Sequence, residues 1–332
     1  MSKVAVIGAG SWGTAISSLL AGAGHEVVLW SRRESVVSAI NEGRHNPCYL
    51  SEVKLAPALR ATGDIAEAVA GAEVIAIAVP SQGMRSVVSG LVGRVGDSQT
   101  IVSLTKGLET GSLLRMSRVI AEELPGVAVG VLSGPNHAEE VSLNIPCATV
   151  VAADDAAIAT QLRDLFMTPA FRVYVNGDVV GVEMAAATKN VIAIAAGISD
   201  GLGYGDNAKA ALMTRGLAEM TRLGVALGGR QATYAGLAGI GDLIATCTSR
   251  HSRNRAVGER LARGQGVDET QAELGMVAEG VKTVEAVCAL ADRLGLQMPI
   301  SQAVFDVVYN GKEPYVCVEE LMTRDPAEEE FS

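Results

Sequence analysis

The stretch KVAVIGAGSWGTA, Lys3 to Ala15, runs from a short apolar β-type segment into three glycines, Gly8, Gly10 and Gly13, and then into a small-residue helix start. The glycines are spaced G-x-G-x-x-G. The first turns the chain off a strand, the second lets a pyrophosphate approach the backbone, and the third lets helix and strand pack closely. A pyrophosphate at this place lies on the unpaired amides and the positive dipole end of the helix. Three glycines at this spacing alone are a weak signal and serve equally well in a packing turn. The strand before them, the helix after them and their place at the head of the chain make dinucleotide binding the stronger reading.

Working outward, short β-type runs alternate with helical stretches through the first half. The strands expected are Lys3–Gly8, Glu26–Ser31, Leu59–Thr62, Glu73–Val79, Thr100–Thr105, Val127–Ser133, Cys147–Ala152 and Phe171–Val175. Helical segments such as Gly13–Ala23, Gln82–Gly93 and Ala156–Met167 separate most of them. Near-continuous apolar runs such as VIAIAV indicate a sheet buried on both faces. The pattern predicts an α/β fold, a doubly wound and mainly parallel Rossmann-type sheet. From about Asp178 strand-like runs disappear, and Ala, Leu, Met and Gly at helical spacing dominate. The run VVGVEMAAATKNVIAIAAGI is apolar nearly all round, as in a helix buried on every side. A second long helix, Ala208–Leu227, follows the loop GLGYGDN, and the acidic tail DPAEEEFS is expected to fray. Domains are expected at 1–178, a dinucleotide-binding domain, and 179–332, an all-helical substrate domain.

A chain of 332 residues exceeds the length at which one core keeps growing. With 48% hydrophobic and 19% charged residues it has the composition of a soluble globular protein. A net charge of −10 argues against nucleic acid and anionic membranes as partners, so an anionic substrate needs locally placed Lys and Arg. Five scattered cysteines with no C-x-x-C pair fit a reducing compartment and offer no zinc site, and none of the four histidines has metal-ligand spacing. The start of the chain lacks a signal-peptide pattern and no apolar run is expected to reach membrane-spanning length, so a cytoplasmic protein without an integral membrane segment is expected.

An acid at the end of the second strand accepts a hydrogen bond from the ribose 2′-hydroxyl of NAD in this fold. Here HEVVLW ends in Ser31, Arg32 and Arg33. Two guanidiniums suit the 2′-phosphate of NADP(H), which an acid repels. The alternatives are that both arginines merely solvate a helix start, or that Glu34 reaches a ribose, which keeps NAD(H) in play.

Lys189 lies inside AAATKNVIAIA, where an ionised amine is costly unless paired. Burial lowers a lysine pKa toward the working pH, as general acid–base chemistry requires. A lysine that snorkels its head to the surface is the plainer reading. Asp242, in GLAGIGDLIATCTS, is a second buried-looking charge that pairs with a lysine or caps the helix DLIATC, or does both. The glycines Gly236, Gly239 and Gly241 let the backbone come close to something. SRHSRNR, with Arg250, Arg253 and Arg255, is a basic cluster able to grip a phosphate with help from Ser252 and Asn254, or else a solvated loop. Lys106 follows the fifth strand and Gly134 the sixth, and ligands in open α/β sheets lie outside the carboxyl ends of strands.

The blocks GAGSWGTA, SLTKGLE, LSGPNHAEEV, AATKNVIAIAAGISDGLGYGDNAKAALMTRGLAEM, GLAGIGDLIATCTSRHSRN and VAEGVKT, spanning residues 7 to 283, together resemble the bacterial NAD(P)-dependent glycerol-3-phosphate dehydrogenases. The resemblance implies a Rossmann-type N-terminal domain and an all-α C-terminal domain similar to that of 6-phosphogluconate dehydrogenase. It implies reversible reduction of dihydroxyacetone phosphate to sn-glycerol 3-phosphate for phospholipid synthesis. It makes Lys189 the proton acceptor and Lys106, Gly134, Asn136, Lys189, Asp242, Ser252, Arg253 and Asn254 substrate contacts. It adds Ser11, Trp12, Arg32, Arg33, Lys106, Ala138, Arg253, Val277 and Glu279 to the glycine loop as NADPH contacts. Asn136 departs from the family, which more often has a small hydroxyl residue there. Two rivals stand beside this reading. One is another two-domain dehydrogenase of the β-hydroxyacid dehydrogenase or ketopantoate reductase type, against which the basic SRHSRN run argues. The other is a non-enzymatic dinucleotide sensor, which needs neither Lys189 nor Asp242. A small-residue helical domain is compatible with a homodimer.

Overall fold

The structure, a computed structural model, describes residues 1–274 and 278–325. The chain forms two compact units, one made of Met1–Thr105 and Met116–Val179, the other of Lys106–Arg115 and the chain from Val180 onward.

The first unit is built on one eight-stranded sheet: β1 Lys3–Ile7, β2 Glu26–Trp30, β3 Arg60–Thr62, β4 Val74–Ile77, β5 Thr100–Ser103, β6 Ala128–Ser133, β7 Cys147–Ala153 and β8 Phe171–Asn176. All eight expected strands are present. Their order is β3-β2-β1-β4-β5-β6-β7-β8. Every pairing is parallel except β6 with β7, which run antiparallel. The central strands β1, β4 and β5 are buried almost throughout, because helices cover both faces and every Val and Ile on them leaves water. Each such side chain contributes about 1.5–3 kcal/mol relative to exposure. The order reverses direction between β1 and β4, and the crevice at such a switch point is where ligands enter this fold. The helix expected over 82–93 is shorter, a 3-10 turn at Ser81–Gly83 continuing into a helix at Met84–Ser89.

The second unit is helical, with no strand among its described residues. Its axis is the 23-residue helix Val179–Gly201, and the second long helix runs Asp206–Ala226. By length and composition Val179–Gly201 does qualify as a membrane span, which corrects the expectation that no apolar run is long enough. Its apolar stretch is 89% buried inside the protein, so its hydrophobic surface is already used as core. The segment Lys106–Arg115 is held in this unit by Leu108, which is fully buried in its core, and by an Arg115–Glu183 ion pair. The acidic residues 326–332, expected to fray, lie outside the described residues.

Candidate active site

The first unit carries a tight glycine turn between β1 and its first helix. Gly8 leaves β1 with φ +115°, and a Cβ on Gly13 would fall 1.9 Å from the Gly8 carbonyl oxygen, so neither position accepts a side chain. Gly10 is different: nothing stands within 4 Å of where its Cβ would be. Gly10 caps helix Ser11–Gly22 without any side-chain hydrogen bond, and the first turn holds no acid. Open space, unclaimed amides of Ser11, Trp12 and Gly13, and a positive dipole end fit a pyrophosphate. The Trp12 indole Nε1 is buried beside them and donates to no acceptor among the described residues.

Beyond β2, the Arg33 amide donates to Ser31 Oγ at 3.2 Å, and the exposed Arg33 guanidinium lies 5.9 Å from the centre of the Tyr49 ring. Arg32 is exposed beside it. Glu34 turns its carboxylate toward Gly63 instead. After β6, Asn136 Nδ2 donates to the Ala148 carbonyl at 3.0 Å while its Oδ1 is buried and accepts no hydrogen bond among the described residues. Gly134 precedes it, and Ala138 opens the short helix Ala138–Ser142. Gly8, Arg32 and Gly134 follow the carboxyl ends of β1, β2 and β6.

The second unit holds a buried charge cluster. Lys189 is only 5% exposed and Asp242 only 2%. Lys189 Nζ donates to Asp242 Oδ1 at 2.7 Å and to Thr246 Oγ1 at 2.6 Å. Lys106 Nζ donates to the other oxygen, Asp242 Oδ2, at 2.8 Å. The snorkelling reading of Lys189 therefore fails. The capping reading of Asp242 fails as well, since Gly241 is the cap and the carboxylate is engaged by the two ammonium groups. Burial would raise the Asp242 carboxyl, but Lys106 and Lys189 outweigh it and hold it below the usual carboxylate range. Burial lowers Lys189 to about 8, with Lys106 pushing the same way and Asp242 opposing. Cys247, pushed up to about 12 chiefly by burial, stays a neutral thiol. What the loop glycines bring close is the chain itself: a Cβ on Gly239 would fall 2.1 Å from the Tyr234 carbonyl oxygen, in the widened turn Leu237–Gly241 that leads into Asp242.

Close helix packing sets the end of the basic run against the helix that carries Lys189. A Cβ on Gly258 would fall 2.0 Å from the Ile194 carbonyl oxygen, and one on Gly197 would fall 1.9 Å from that of Arg255. Helix Arg253–Leu261 thus lies directly on the Lys189 helix. Ser252 caps it, its Oγ accepting from the Arg255 amide at 3.2 Å. Asn254 Nδ2 donates to Asn190 Oδ1, and its Oδ1 accepts from the Gly280 amide, both at 2.9 Å, so most of its amide is spent inside the protein. Arg255 is committed to Asp200 and Glu259 and cannot serve the phosphate grip. Glu279 begins helix Glu279–Leu294, and Val277 lies outside the described residues.

Thr246 escaped the reading of the sequence. It sits one helical turn after Asp242 on the same face, a spacing that brings side chains together, and this was the available signal. It donates to the Asp242 carbonyl at 2.6 Å, which aims its lone pairs at Lys189.

A glycine-loop Rossmann sheet in one unit and a lysine–carboxylate–lysine cluster in the other are features of the nicotinamide-dependent oxidoreductases. Residues 3–159 match the family model described as NAD-dependent glycerol-3-phosphate dehydrogenase N-terminus, and residues 178–319 match the one for its C-terminus. A protein named glycerol-3-phosphate dehydrogenase (NAD(P)+) from Nitratidesulfovibrio vulgaris (strain DP4) is 52% identical over 329 residues, covering 98% of this chain and 100% of the relative. One of the same name from Geobacillus kaustophilus (strain HTA426) is 49% identical over 99% of this chain and 96% of its own. A crystal structure of glycerol-3-phosphate dehydrogenase from Coxiella burnetii superposes with a TM-score of 0.94 at 38% identity, covering 97% of this chain and 99% of that one. A ketopantoate reductase from Ralstonia eutropha, 19% identical with a TM-score of 0.61, shares the fold alone. The chain belongs to the NAD-dependent glycerol-3-phosphate dehydrogenase family.

Proposed function

We propose that this chain catalyses the reversible reduction of dihydroxyacetone phosphate to sn-glycerol 3-phosphate, with NADPH preferred over NADH, and so supplies glycerophospholipid synthesis. The observation that carries this reading is the Lys106–Asp242–Lys189 cluster, in which one ammonium has a pKa of about 8. A bound reduced nicotinamide supplies the hydride that C2 of the substrate accepts. Lys189 gives its proton to the alkoxide forming at the C2 oxygen and takes one back from the hydroxyl in the reverse direction. Asp242 holds both ammonium groups in place, and Lys106 adds positive charge where negative charge develops. Ser252, Arg253 and Asn254, at the amino end of their helix, grip the phosphate, and Gly134 and Asn136 contact the substrate. Binding energy from the phosphate is thereby spent on positioning the carbonyl. Gly8, Gly10, Ser11, Trp12 and Gly13 bind the pyrophosphate of the cofactor, with Arg32 and Arg33 on its 2′-phosphate. Lys106, Ala138, Arg253, Val277 and Glu279 complete the cofactor contacts.

Steady-state turnover tests the reading directly. NADPH is expected to be oxidised with dihydroxyacetone phosphate and not with unphosphorylated dihydroxyacetone or ketopantoate; turnover with either of these alone would overturn it. The cofactor preference has its own test. Arg32→Ala with Arg33→Ala is expected to raise the KM for NADPH at least about tenfold, the loss of charge-assisted bonds of roughly 1.5–3 kcal/mol, and to leave that for NADH nearly unchanged. An equal effect on both cofactors refutes the preference and leaves the reaction standing.

A further inference from the structure

Asn46 lies in the connection between β2 and β3, makes no contact assigned above, and is fully buried. All four of its hydrogen-bonding positions are used. Its Nδ2 donates to the Ala9 carbonyl at 3.0 Å and to Thr14 Oγ1 at 2.8 Å. Its Oδ1 accepts from the amides of Cys48 at 3.1 Å and Tyr49 at 3.2 Å. Ala9 is the residue between the first two loop glycines, so the direction of its carbonyl fixes the peptide plane that leads to the Gly10 amide. Thr14 is in the first turns of the helix that follows. On the other side, Tyr49 is the residue whose ring lies under the Arg33 guanidinium, with Cys48 beside it. One buried side chain therefore ties the phosphate loop to the turn that props the arginine beyond β2.

We propose that Asn46 is a positioning residue of the dinucleotide site, holding the Ala9–Gly10 peptide and the Cys48–Tyr49 turn in one fixed relation so that both ends of the cofactor are gripped together. The second half of this inference rests on the reading that Arg33 meets a 2′-phosphate; the first half needs only that the glycine loop binds a pyrophosphate. A buried amide is suited to the task because only it offers two donors and two acceptors in a rigid plane. A carboxylate of the same shape keeps the two acceptors, loses both donors and turns a negative charge on the Ala9 carbonyl.

The test compares wild type, Asn46→Asp and Tyr49→Leu, titrating NADPH and NADH against the quenching of tryptophan fluorescence, with melting temperatures recorded without ligand. Asn46→Asp is expected to weaken both cofactors about tenfold or more, by the cost of an unsatisfied buried group, while kcat at saturating cofactor stays close to wild type. Tyr49→Leu, at a half-buried position that keeps an apolar side chain in place, is expected to weaken NADPH several-fold and NADH little. A lower melting temperature in Asn46→Asp with unchanged dissociation constants makes Asn46 merely structural and overturns the proposal. If Asn46→Asp does not fold, unchanged NADPH binding in Tyr49→Leu overturns the link to Arg33. Wild-type protein that binds NADH as tightly as NADPH removes the 2′-phosphate reading but leaves the loss of both cofactors in Asn46→Asp as the deciding result.

Discussion

Lys189→Ala is expected to lower kcat about 100- to 10,000-fold in both directions, the range that a positioned acid–base group contributes, while the dissociation constant for NADPH stays at its wild-type value. The separation follows from placement: the Lys189 ammonium bonds Asp242 and Thr246, and the glycine loop belongs to the other unit. With Lys189 in the proposed acid–base role, oxidation of glycerol phosphate by the wild-type enzyme is expected to require the neutral amine and to rise with pH through an inflection near 8. Reduction of dihydroxyacetone phosphate needs the ammonium and is expected to fall through the same inflection. Both inflections vanish in Lys189→Ala. Stability shifts with a definite sign. Below about pH 8 the amine is protonated folded and unfolded, and the fold carries the full cost of the buried ammonium. Between there and its ordinary value near 10.5 the unfolded chain holds the extra proton, so stability rises with pH across that window. Near-normal turnover in the alanine variant, or pH profiles that keep their inflection, sinks the assignment of Lys189.

Asp242→Asn has the second largest expected effect, because the one carboxylate serves two ammonium groups at 2.7 and 2.8 Å. The amide is nearly isosteric but leaves the buried Lys189 ammonium without its carboxylate and withdraws the same charge from the partly exposed Lys106, a loss of about 3–5 kcal/mol when a buried pair is broken by removing one partner. A lower melting temperature at pH 7 and a loss of kcat of about 100-fold or more are expected, the latter from misplaced donors at the developing charge. The residual activity carries a signature. Without the stabilising carboxylate the Lys189 amine loses its proton more easily, so its inflection moves to lower pH. Lys106→Met, which removes a repelling cation, moves it to higher pH. Measuring both profiles separates an electrostatic role for Asp242 from simple unfolding; identical inflections in the two variants rule out the electrostatic account.

Much of this was legible along the chain. The central strands could be read from their own residues, because a strand buried on both faces writes itself as an apolar run whatever it pairs with, while the edge strand β8 alternates buried and exposed residues. The glycine loop was legible for the same reason: its demands, a positive φ at Gly8 and no room at Gly13, are local. The cost of Lys189 in an apolar helix was equally plain. That Asp242 pairs with a lysine was one of two open readings; that it pairs with Lys189, 53 positions away, and also with Lys106, 136 positions away, was not legible. Arg255 looked like part of a phosphate grip until Asp200, distant in sequence, claimed it. Nothing near Asn46 in sequence announces that it reaches back to Ala9, 37 positions earlier.

By itself, then, the sequence determined the elements and their chemistry: a sheet of apolar strands headed by a tight glycine turn, a helical half, and ionisable groups costly to bury. Those properties depend on neighbours within a turn or a strand, where covalent geometry and side-chain size suffice. Only the tertiary structure decided the antiparallel placing of β7, the sharing of one carboxylate between Lys106 and Lys189, the withdrawal of Arg255 into a structural ion pair, and the clamp at Asn46. Each depends on which distant groups are buried together, and a hydrogen bond or charge pair is settled by distance in space, whatever the separation along the chain.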